Sequence, residues 1–230
     1  MSLTTAPRAI LFDLDGTLAD TAPDLAAAIN LLRTVRGLEP TPYELLRPQA
    51  SAGARGMIGV SFGLTPQDAG YEELRQGFFT NYEAAMAVHS TLFDGIVELL
   101  AGITDAGLRW GIVTNKPARF TDPLLPQIGL GHASCVVSGD TTPHAKPHPA
   151  PLLEAAQRLG LAPQECWYVG DDRRDIDAGR AAGMATMACQ WGYCGPVEPQ
   201  SWGADHLLAT PADLLALIRA TVPSPTPLAA

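Results

Sequence analysis

The stretch AILFDLDGT, residues 9–17, runs from four apolar residues directly into two aspartates and a glycine. A short apolar run predicts a buried strand, and the acidic residues then mark its carboxyl end. Asp13 and Asp15 are two positions apart, so on an extended chain their side chains lie on the same side. Two carboxylates held that close repel each other unless a cation or a proton separates them. The stretch therefore predicts either a charged site at a strand end or an acidic turn punctuated by Asp15-Gly16.

Similar apolar runs recur along the chain and alternate with segments of helical period. This alternation predicts an α/β fold with a Rossmann-like parallel sheet, covered by helices on both faces. Ligands of such sheets bind beyond the carboxyl ends of the strands. The predicted strands are 8–13, 109–115, 134–138, 165–171, 184–188 and 205–209. The predicted helices between and after them are 95–106, 117–128, 147–159, 174–182 and 212–220.

One interval breaks this alternation, because residues 20–92 have helical patterns and no convincing strand. We expect this interval to be a small helical cap domain, inserted into a discontinuous α/β core of residues 1–19 and 93–221. The Pro-rich end of the chain, residues 222–230, predicts a disordered tail. The predicted cap helices are 22–36, 43–49, 55–62 and 71–88.

A second acidic set, Gly170-Asp171-Asp172-Arg173-Arg174-Asp175, follows another apolar run. Three carboxylates at a strand end are a hard-oxygen site of the type that Mg²⁺ prefers. The alternative is helix capping, in which Asp172 or Asp175 accepts backbone N–H groups. Capping alone does not explain why both acidic clusters follow apolar strands, whose carboxyl ends meet at one edge of a parallel sheet.

Lysine is rare in this chain, which has 15 Lys and Arg residues but only two lysines, Lys116 and Lys146. Lys116 follows the strand-terminal Thr114-Asn115, which supplies a hydroxyl and an amide. Lys146 precedes Pro147, a residue suited to the first turn of a helix. Both lysines therefore lie at the ends of predicted core elements, where a compact ammonium is not interchangeable with arginine. Compositional bias of the source genome is the alternative explanation.

The composition excludes several classes of partner. The net charge of −9 argues against a nucleic-acid or an anionic membrane surface, because both need clustered positive charge. No apolar run approaches the length of a membrane span, and no secretory signal is evident. The four cysteines have no metal-site spacing and are expected to be reduced thiols. We expect a cytoplasmic protein that acts on a small molecule, as a monomer or homodimer.

The order of the motifs resembles the haloacid dehalogenase superfamily. The motifs are DxDGT at residues 13–17, Thr-Asn at 114–115, Lys-Pro at 146–147 and GDDxxD at 170–175, and the resemblance covers residues 9–210. It implies a Mg²⁺-dependent phosphatase in which Asp13 attacks phosphorus and forms an aspartyl-phosphate. Asp15 is then the acid that protonates the leaving alkoxide and the base that later deprotonates water. An aspartate at that position favours a phosphatase or a phosphomutase over a dehalogenase.

The same resemblance implies a metal site. Asp13, Asp171 and the carbonyl oxygen of Asp15 are the expected Mg²⁺ ligands. Asp175 is expected to hydrogen-bond to Lys146 or to a metal-bound water without ligating the ion itself. Asp172 stands where related phosphatases often have serine, so whether it contacts the ion directly or through water stays open.

The resemblance also implies substrate contacts. Thr114, Asn115 and Lys146 are expected to bind the phosphoryl oxygens and to balance the charge that develops there. Arg55, in a Gly-bounded stretch of the cap, and Lys116 are candidates for contact with the substrate's phosphate or with a carboxylate on it. Arg55 and Lys116 can each instead be a solvated surface side chain.

Two branches of the superfamily resemble this chain, and they imply different substrates. Residues 111–117 (GIVTNKP) and 169–171 (VGD) are similar to the phosphoglycolate phosphatases. Residues 51–55 (SAGAR) and 87–93 (AVHSTLF) are closer to the N-acetylmuramic acid 6-phosphate phosphatases. Both substrates carry a carboxylate, and we expect hydrolysis of a small carboxylate-bearing phosphomonoester, phosphoglycolate first.

Other functions are weighed against this one. A phosphosugar mutase is the stronger alternative. A phospho-receiver signalling module is a remote alternative, since such a module has no cap and no use for Asp15. Residues 59–63 match the G-x-S-x-G serine-hydrolase motif but lie in a predicted helix instead of a strand-to-helix turn. His144 and His148 suggest a metal pair only on a helix that the neighbouring prolines interrupt, and Trp191 and Tyr193 indicate loop packing.

Overall fold

The computed structural model describes residues 6–195 and 197–222. The strands are β1 (Ala9–Phe12), β2 (Ala19–Asp20), β3 (Thr91–Leu92), β4 (Arg109–Val113), β5 (Val136–Val137), β6 (Cys166–Gly170), β7 (Ala185–Cys189) and β8 (His206–Leu208). The helices are α1 (Ala22–Thr34), α2 (Tyr43–Leu46), α3 (Gly53–Phe62), α4 (Tyr71–Ala84), α5 (Ile96–Asp105), α6 (Ala118–Gln127), α7 (Ala150–Leu159), α8 (Arg173–Ala182) and α9 (Pro211–Thr221).

Six strands form one parallel sheet in the order β5-β4-β1-β6-β7-β8. Alternate residues of β1 enter two apolar layers, Ile10 and Phe12 on one face and Ala9 and Leu11 on the other. A sheet buried on both faces needs near-continuous apolar strands, which is what the sequence has. The α/β fold class is confirmed, and each of the six predicted strands corresponds to a strand of this sheet.

A second, two-stranded sheet was not foreseen. Ala19 and Asp20 of β2 pair antiparallel with Leu92 and Thr91 of β3. The expectation that residues 20–92 lack a strand is therefore wrong at its two ends. The physical reason is that these two-residue strands, Ala-Asp and Thr-Leu, do not lie in an apolar run and are too short to display a period.

Four helices, α1 to α4, lie between β2 and β3, and α1 packs against both α3 and α4. The predicted helix at 147–159 begins only at Ala150, and the one at 71–88 ends at Ala84. Among the described residues, no helix combines the length and apolar character that crossing a membrane requires. The predicted tail lies outside the described residues from position 223 onward.

Candidate active site

The central strands of the sheet bring the sequence motifs to one edge. β1 lies between β4 and β6, and Asp13, Thr114 and Asp171 are the residues that follow these three strands. Parallel strands end at the same edge, so the three residues are neighbours there. A cavity of about 260 Å³ lies at this edge, and Asp13, Thr114 and Asp172 are among its lining residues.

Three buried aspartates form a cluster at this edge. One carboxylate oxygen each of Asp13, Asp171 and Asp175 lies within 4.8 Å of the other two. All three side chains are buried, with Asp171 completely inaccessible. Gly16 permits this approach, because its φ is +93° and a Cβ there would lie 2.2 Å from a carboxylate oxygen of Asp171. The main chain of the first motif, at Gly16, therefore packs directly against Asp171 of the second acidic set.

Lys146 is the cation in contact with this cluster. Its Nζ lies 2.8 Å from each of four oxygens: Asp13 Oδ1, Asp175 Oδ1, the Tyr168 hydroxyl and the Val113 carbonyl. An ammonium has three hydrogens, so these four acceptors share them. Burial acts to lower the pKa of Lys146, but the two aspartates outweigh it and the pKa is raised. Lys146 therefore stays charged.

For the carboxyl groups of Asp13 and Asp171, burial has the larger effect on the pKa and outweighs the contacts that lower it. Burial raises the pKa of Asp13 to about 6, with Lys146 opposing the rise and Asp175 adding to it. Burial, together with the charges of Asp13 and Asp175, raises the pKa of Asp171 well above its usual range. With all three carboxyls ionised, one ammonium leaves an excess of negative charge. A hard-oxygen donor set with excess negative charge fits a divalent cation such as Mg²⁺.

Asp15 contacts the other lysine. Lys116 Nζ donates to Asp15 Oδ1 at 2.9 Å, and the Thr21 hydroxyl donates to the same oxygen. The Lys116 and Asp15 side chains are only 6% and 14% exposed. The ammonium also lies 4.6 Å from the centre of the Tyr82 ring. Burial acts to lower the pKa of Lys116, but Asp15 and Tyr82 outweigh it and the pKa is raised.

Thr114 and Asn115 both line the cavity. The Thr114 hydroxyl accepts the backbone N–H of Lys116 at 3.1 Å. The Asn115 side chain donates to the carbonyl oxygen of Lys146 at 3.0 Å and accepts its N–H at 2.9 Å. Two hydrogen bonds to one residue fix its main chain. The Asn115 amide therefore holds the segment that carries Lys146, a role that the sequence did not reveal.

Asp172 caps helix α8, as the capping alternative expects. Its Oδ1 accepts the backbone N–H of Arg174 at 2.8 Å, and the Arg174 guanidinium pairs with both of its oxygens at 2.8 and 2.9 Å. Burial acts to raise the pKa of Asp172, but Arg174 more than offsets it and the pKa is lowered. Arg174 also donates to the Ser51 carbonyl at 2.8 Å, so it joins α8 to the segment between α2 and α3. Sequence reasoning missed Arg174, although it lines the cavity.

Some candidates lie apart from the cavity. Arg55 is exposed and is not among the lining residues, so the structure does not bring it together with Lys116. His144 and His148 are exposed and also outside the cavity. Ser61 of the G-x-S-x-G stretch lies inside helix α3, where its hydroxyl accepts from Thr41, so the nucleophile-elbow context is missing.

Tyr193 is a site residue that sequence reasoning assigned only to loop packing. Its backbone N–H donates to Asp171 Oδ2 at 2.9 Å. Its hydroxyl accepts the N–H groups of Thr21 and Ala22 at 2.8 and 2.9 Å. One side chain thus connects the acidic cluster with the start of helix α1. An aromatic residue next to Gly192 was the available signal, but it carries no spacing from which a partner can be inferred.

Residues 7–183 match the haloacid dehalogenase-like hydrolases, and the chain belongs to this family. It is 47% identical over 210 residues to a phosphoglycolate phosphatase of Xanthomonas campestris pv. campestris, covering 90% of this chain and 95% of the relative. It is 44% identical over 213 residues to an N-acetylmuramic acid 6-phosphate phosphatase of Pseudomonas putida, covering 92% and 96%. A crystal structure described as "a predicted phosphoglycolate phosphatase" from Haemophilus somnus has a TM-score of 0.83 at 28% identity, covering 93% and 99%. The predicted superfamily and the class of phosphoric monoester hydrolase are confirmed.

Proposed function

We propose that this protein is a Mg²⁺-dependent phosphatase that hydrolyses a small carboxylate-bearing phosphomonoester through an aspartyl-phosphate on Asp13. The observation that carries the proposal is the buried cluster of Asp13, Asp171 and Asp175 with Lys146 beside a cavity. A carboxylate of Asp13 attacks phosphorus, a P–O bond forms, and the bond to the alcohol oxygen breaks. Water then attacks the aspartyl-phosphate, releases inorganic phosphate and restores Asp13.

Asp15 is the proton donor and acceptor in this scheme. It gives a proton to the departing alkoxide and takes one from the attacking water, so its protonation state is restored over one turnover. The contacts with Lys116 and Thr21 support this role, because they hold the carboxyl group at a fixed position in the cavity wall. A fixed acid avoids the entropy cost of finding the leaving oxygen.

Thr114, Asn115 and Lys146 are proposed to hold the phosphoryl group. Lys146 supplies a buried charge, which acts strongly in a site of low dielectric. Thr114 supplies a hydroxyl at the cavity wall, and Asn115 keeps the main chain of Lys146 in place.

Asp13 and Asp171, with the carbonyl oxygen of Asp15, are proposed to hold Mg²⁺, and Asp175 lies close enough to contribute an oxygen. Asp172 is proposed to support the site without ligating the ion, since its carboxylate pairs with Arg174. When bound, Mg²⁺ lowers the repulsion between an anionic carboxylate and an anionic phosphate.

We also propose a division into domains, with a cap at residues 20–92 and a core at residues 1–19 and 93–221. The β2-β3 pair is then the hinge between them. Lys116 is proposed to meet the substrate's carboxylate, and Arg55 acts in substrate binding only if the cap moves, because it lies outside the cavity in this arrangement. The protein acts as a monomer or homodimer.

The experiment compares phosphate release from 2-phosphoglycolate and N-acetylmuramic acid 6-phosphate, with and without Mg²⁺, for wild type and Asp13→Asn. We expect turnover of at least one ester that needs Mg²⁺ and falls by roughly 10³-fold or more in Asp13→Asn. Asp177→Asn is the matched control, because it makes the same chemical change at a half-exposed position of α8 that does not line the cavity, and it is expected to retain activity.

Full activity of Asp13→Asn, or no release from either ester or from a wider panel, would contradict the proposal. Turnover that needs a sugar bisphosphate activator would favour a mutase. Stable phosphorylation of Asp13 without turnover would favour a receiver module.

A further inference from the structure

The cavity is lined from two sides. The core supplies the residues that the catalytic scheme uses, such as Asp13, Thr114 and Lys146. The helical insert supplies residues 50–54 (Ala-Ser-Ala-Gly-Ala), which we call the small-residue segment, together with apolar and aromatic side chains of α1 and α4. Every group proposed to hold the phosphoryl oxygens belongs to the core. The insert therefore faces the remainder of the ester, which is the leaving group.

The small-residue segment has no long side chain with which to adapt to a ligand. It runs from the end of a 3₁₀ helix, Arg47–Ala52, into the first turn of α3, and the chain turns at Gly53, where φ is +56°. A 3₁₀ helix of six residues is longer than most, and its hydrogen bonds have poor geometry. The placement of this main chain therefore depends on contacts with other parts of the molecule.

Arg174 donates the shortest hydrogen bond between this region and the core. Its Nη2 lies 2.8 Å from the Ser51 carbonyl oxygen. The other two hydrogen bonds are longer, because Ser51 Oγ lies 3.5 Å from Asp171 Oδ2 and Arg47 Nη1 lies 3.5 Å from the Gly192 carbonyl oxygen. Hydrogen bonds of that length are weak. In the described part of the chain, Arg174 is thus the closest polar contact that the core makes with the small-residue segment.

Asp172 fixes the direction of the Arg174 guanidinium. Its Oδ1 accepts from Arg174 Nε at 2.8 Å, and its Oδ2 accepts from Nη2 at 2.9 Å. Two hydrogen bonds between planar groups determine orientation as well as distance. Asp172 is itself held at the N-cap of α8, directly after Asp171. Lysine, with one ammonium, could not make both contacts with Asp172 and also reach Ser51 in the same geometry.

We propose that Arg174 is a positioning residue for ester binding, which holds the small-residue segment at the distance from the core that the leaving group requires. Asp172 serves to aim Arg174 at Ser51. This inference rests on the proposed phosphatase function and names the residues that set the affinity of that same site for its ester. It requires no movement of the insert, and it gives Arg174 no contact with the phosphoryl group.

The test compares Arg174→Ala and Arg174→Lys with wild type, on whichever of 2-phosphoglycolate, N-acetylmuramic acid 6-phosphate or the wider panel wild type hydrolyses fastest. Inorganic phosphate serves as a competitive inhibitor that has no leaving group. In Arg174→Ala we expect KM to rise by about 10-fold, while kcat and the inhibition constant of phosphate change by less than about 2-fold. Arg174→Lys should resemble Arg174→Ala, because it keeps the charge but loses the paired hydrogen bonds with Asp172.

Arg173→Ala is the matched control. Arg173 is the neighbouring arginine of α8, its side chain is 66% exposed, and it does not line the cavity. This variant should keep the wild-type KM. Hydrogen exchange of the protein without ester gives a second readout, in which the amides of the small-residue segment should exchange faster in Arg174→Ala than in wild type or Arg173→Ala.

Four results overturn the inference while the proposed function stands. An unchanged KM in Arg174→Ala, with or without a lower kcat, would leave Arg174 no more than a structural role. A parallel rise in the inhibition constant of phosphate would place Arg174 at the phosphoryl group. Recovery of the wild-type KM in Arg174→Lys would mean that charge alone matters, and unchanged exchange would mean that Arg174 does not hold the segment. If wild type hydrolyses no ester, the proposed function fails and this inference fails with it.

Discussion

At the scale of single residues, Lys146 has little freedom to change, because its ammonium contacts four buried oxygens. Its ammonium lies between Asp13 and Asp175, and all three side chains are nearly inaccessible. Buried ion pairs contribute little net stability compared with apolar residues, but removing one partner leaves an uncompensated charge. The cost of losing Lys146 therefore exceeds the cost of losing any exposed cation.

We predict that Lys146→Ala lowers the free energy of unfolding by about 3 kcal/mol at pH 7 without Mg²⁺, because the facing aspartates lose their counter-charge. Urea denaturation measures it. Arg173→Ala is the control, since its pair with Asp177 is exposed and should change stability by about 0.5 kcal/mol or less. Equal losses for the two variants would mean that the Lys146 pairs are not the buried contacts described above.

Residue positions were predictable where a strand end fixed them. Asp13, Thr114 and Asp171 follow the central strands, so their convergence could be inferred from the order of apolar runs. The contact of Asn115 with the Lys146 backbone could not, because it joins two loops whose mutual approach depends on packing. Arg55 fails to reach the cavity for a related reason, since its direction depends on which face of α3 packs inward.

At the scale of elements, strands that lie within an apolar run of the sequence were predictable, even β5 with two residues, and β2 and β3 were not. The six sheet strands were found because each is apolar and bounded by polar or turn residues. β2 and β3 have two residues each and no such signature. They nevertheless bracket the helical insert, so the pairing that the sequence did not reveal joins the two ends of the insert.

The start of α1 shows how another element can supply a missing cap. Thr21, at the N-cap position, makes no side-chain hydrogen bond to the helix backbone. The Tyr193 hydroxyl accepts the Thr21 and Ala22 N–H groups instead, and it donates to Asp20 Oδ1 at 3.0 Å. A loop after β7 thus holds the entry to the insert.

We predict that Tyr193→Phe lowers the free energy of unfolding by about 2 kcal/mol, because the buried Thr21 N–H loses its acceptor and the Ala22 N–H keeps only the longer contact with Asp20 Oδ1 at 3.3 Å. Hydrogen exchange should locate the effect, with the amides of Thr21 and Ala22 exchanging faster than in wild type. Tyr43→Phe, at a 40% exposed position, should change stability by less than about 0.5 kcal/mol. Unchanged exchange at the start of α1 would show that Tyr193 does not cap the helix.

At the scale of the whole molecule, the net charge of the chain opposes the binding of its proposed substrates. The chain has a net charge of −9, yet its proposed substrates are anions. The buried cluster concentrates part of that negative charge at Asp13, Asp171 and Asp175, where Lys146 balances it incompletely. Binding of a divalent cation there should therefore stabilise the folded chain, because unfolding separates the three carboxylates and destroys the site.

We predict that Mg²⁺ at about 100 times its dissociation constant stabilises the protein by about 2.7 kcal/mol, which corresponds to a rise in Tm of roughly 5–10 °C for a chain of this size. Asp171→Asn should lose most of this rise, since it removes one of the three clustered carboxylates. Asp177→Asn, with the same change at a half-exposed position outside the cluster, should keep the rise in Tm. NaCl at matched ionic strength should not reproduce the rise, because screening acts on surface charges and much less on a buried cluster. An equal shift with NaCl, or an undiminished shift in Asp171→Asn, would place the Mg²⁺ effect outside this cluster.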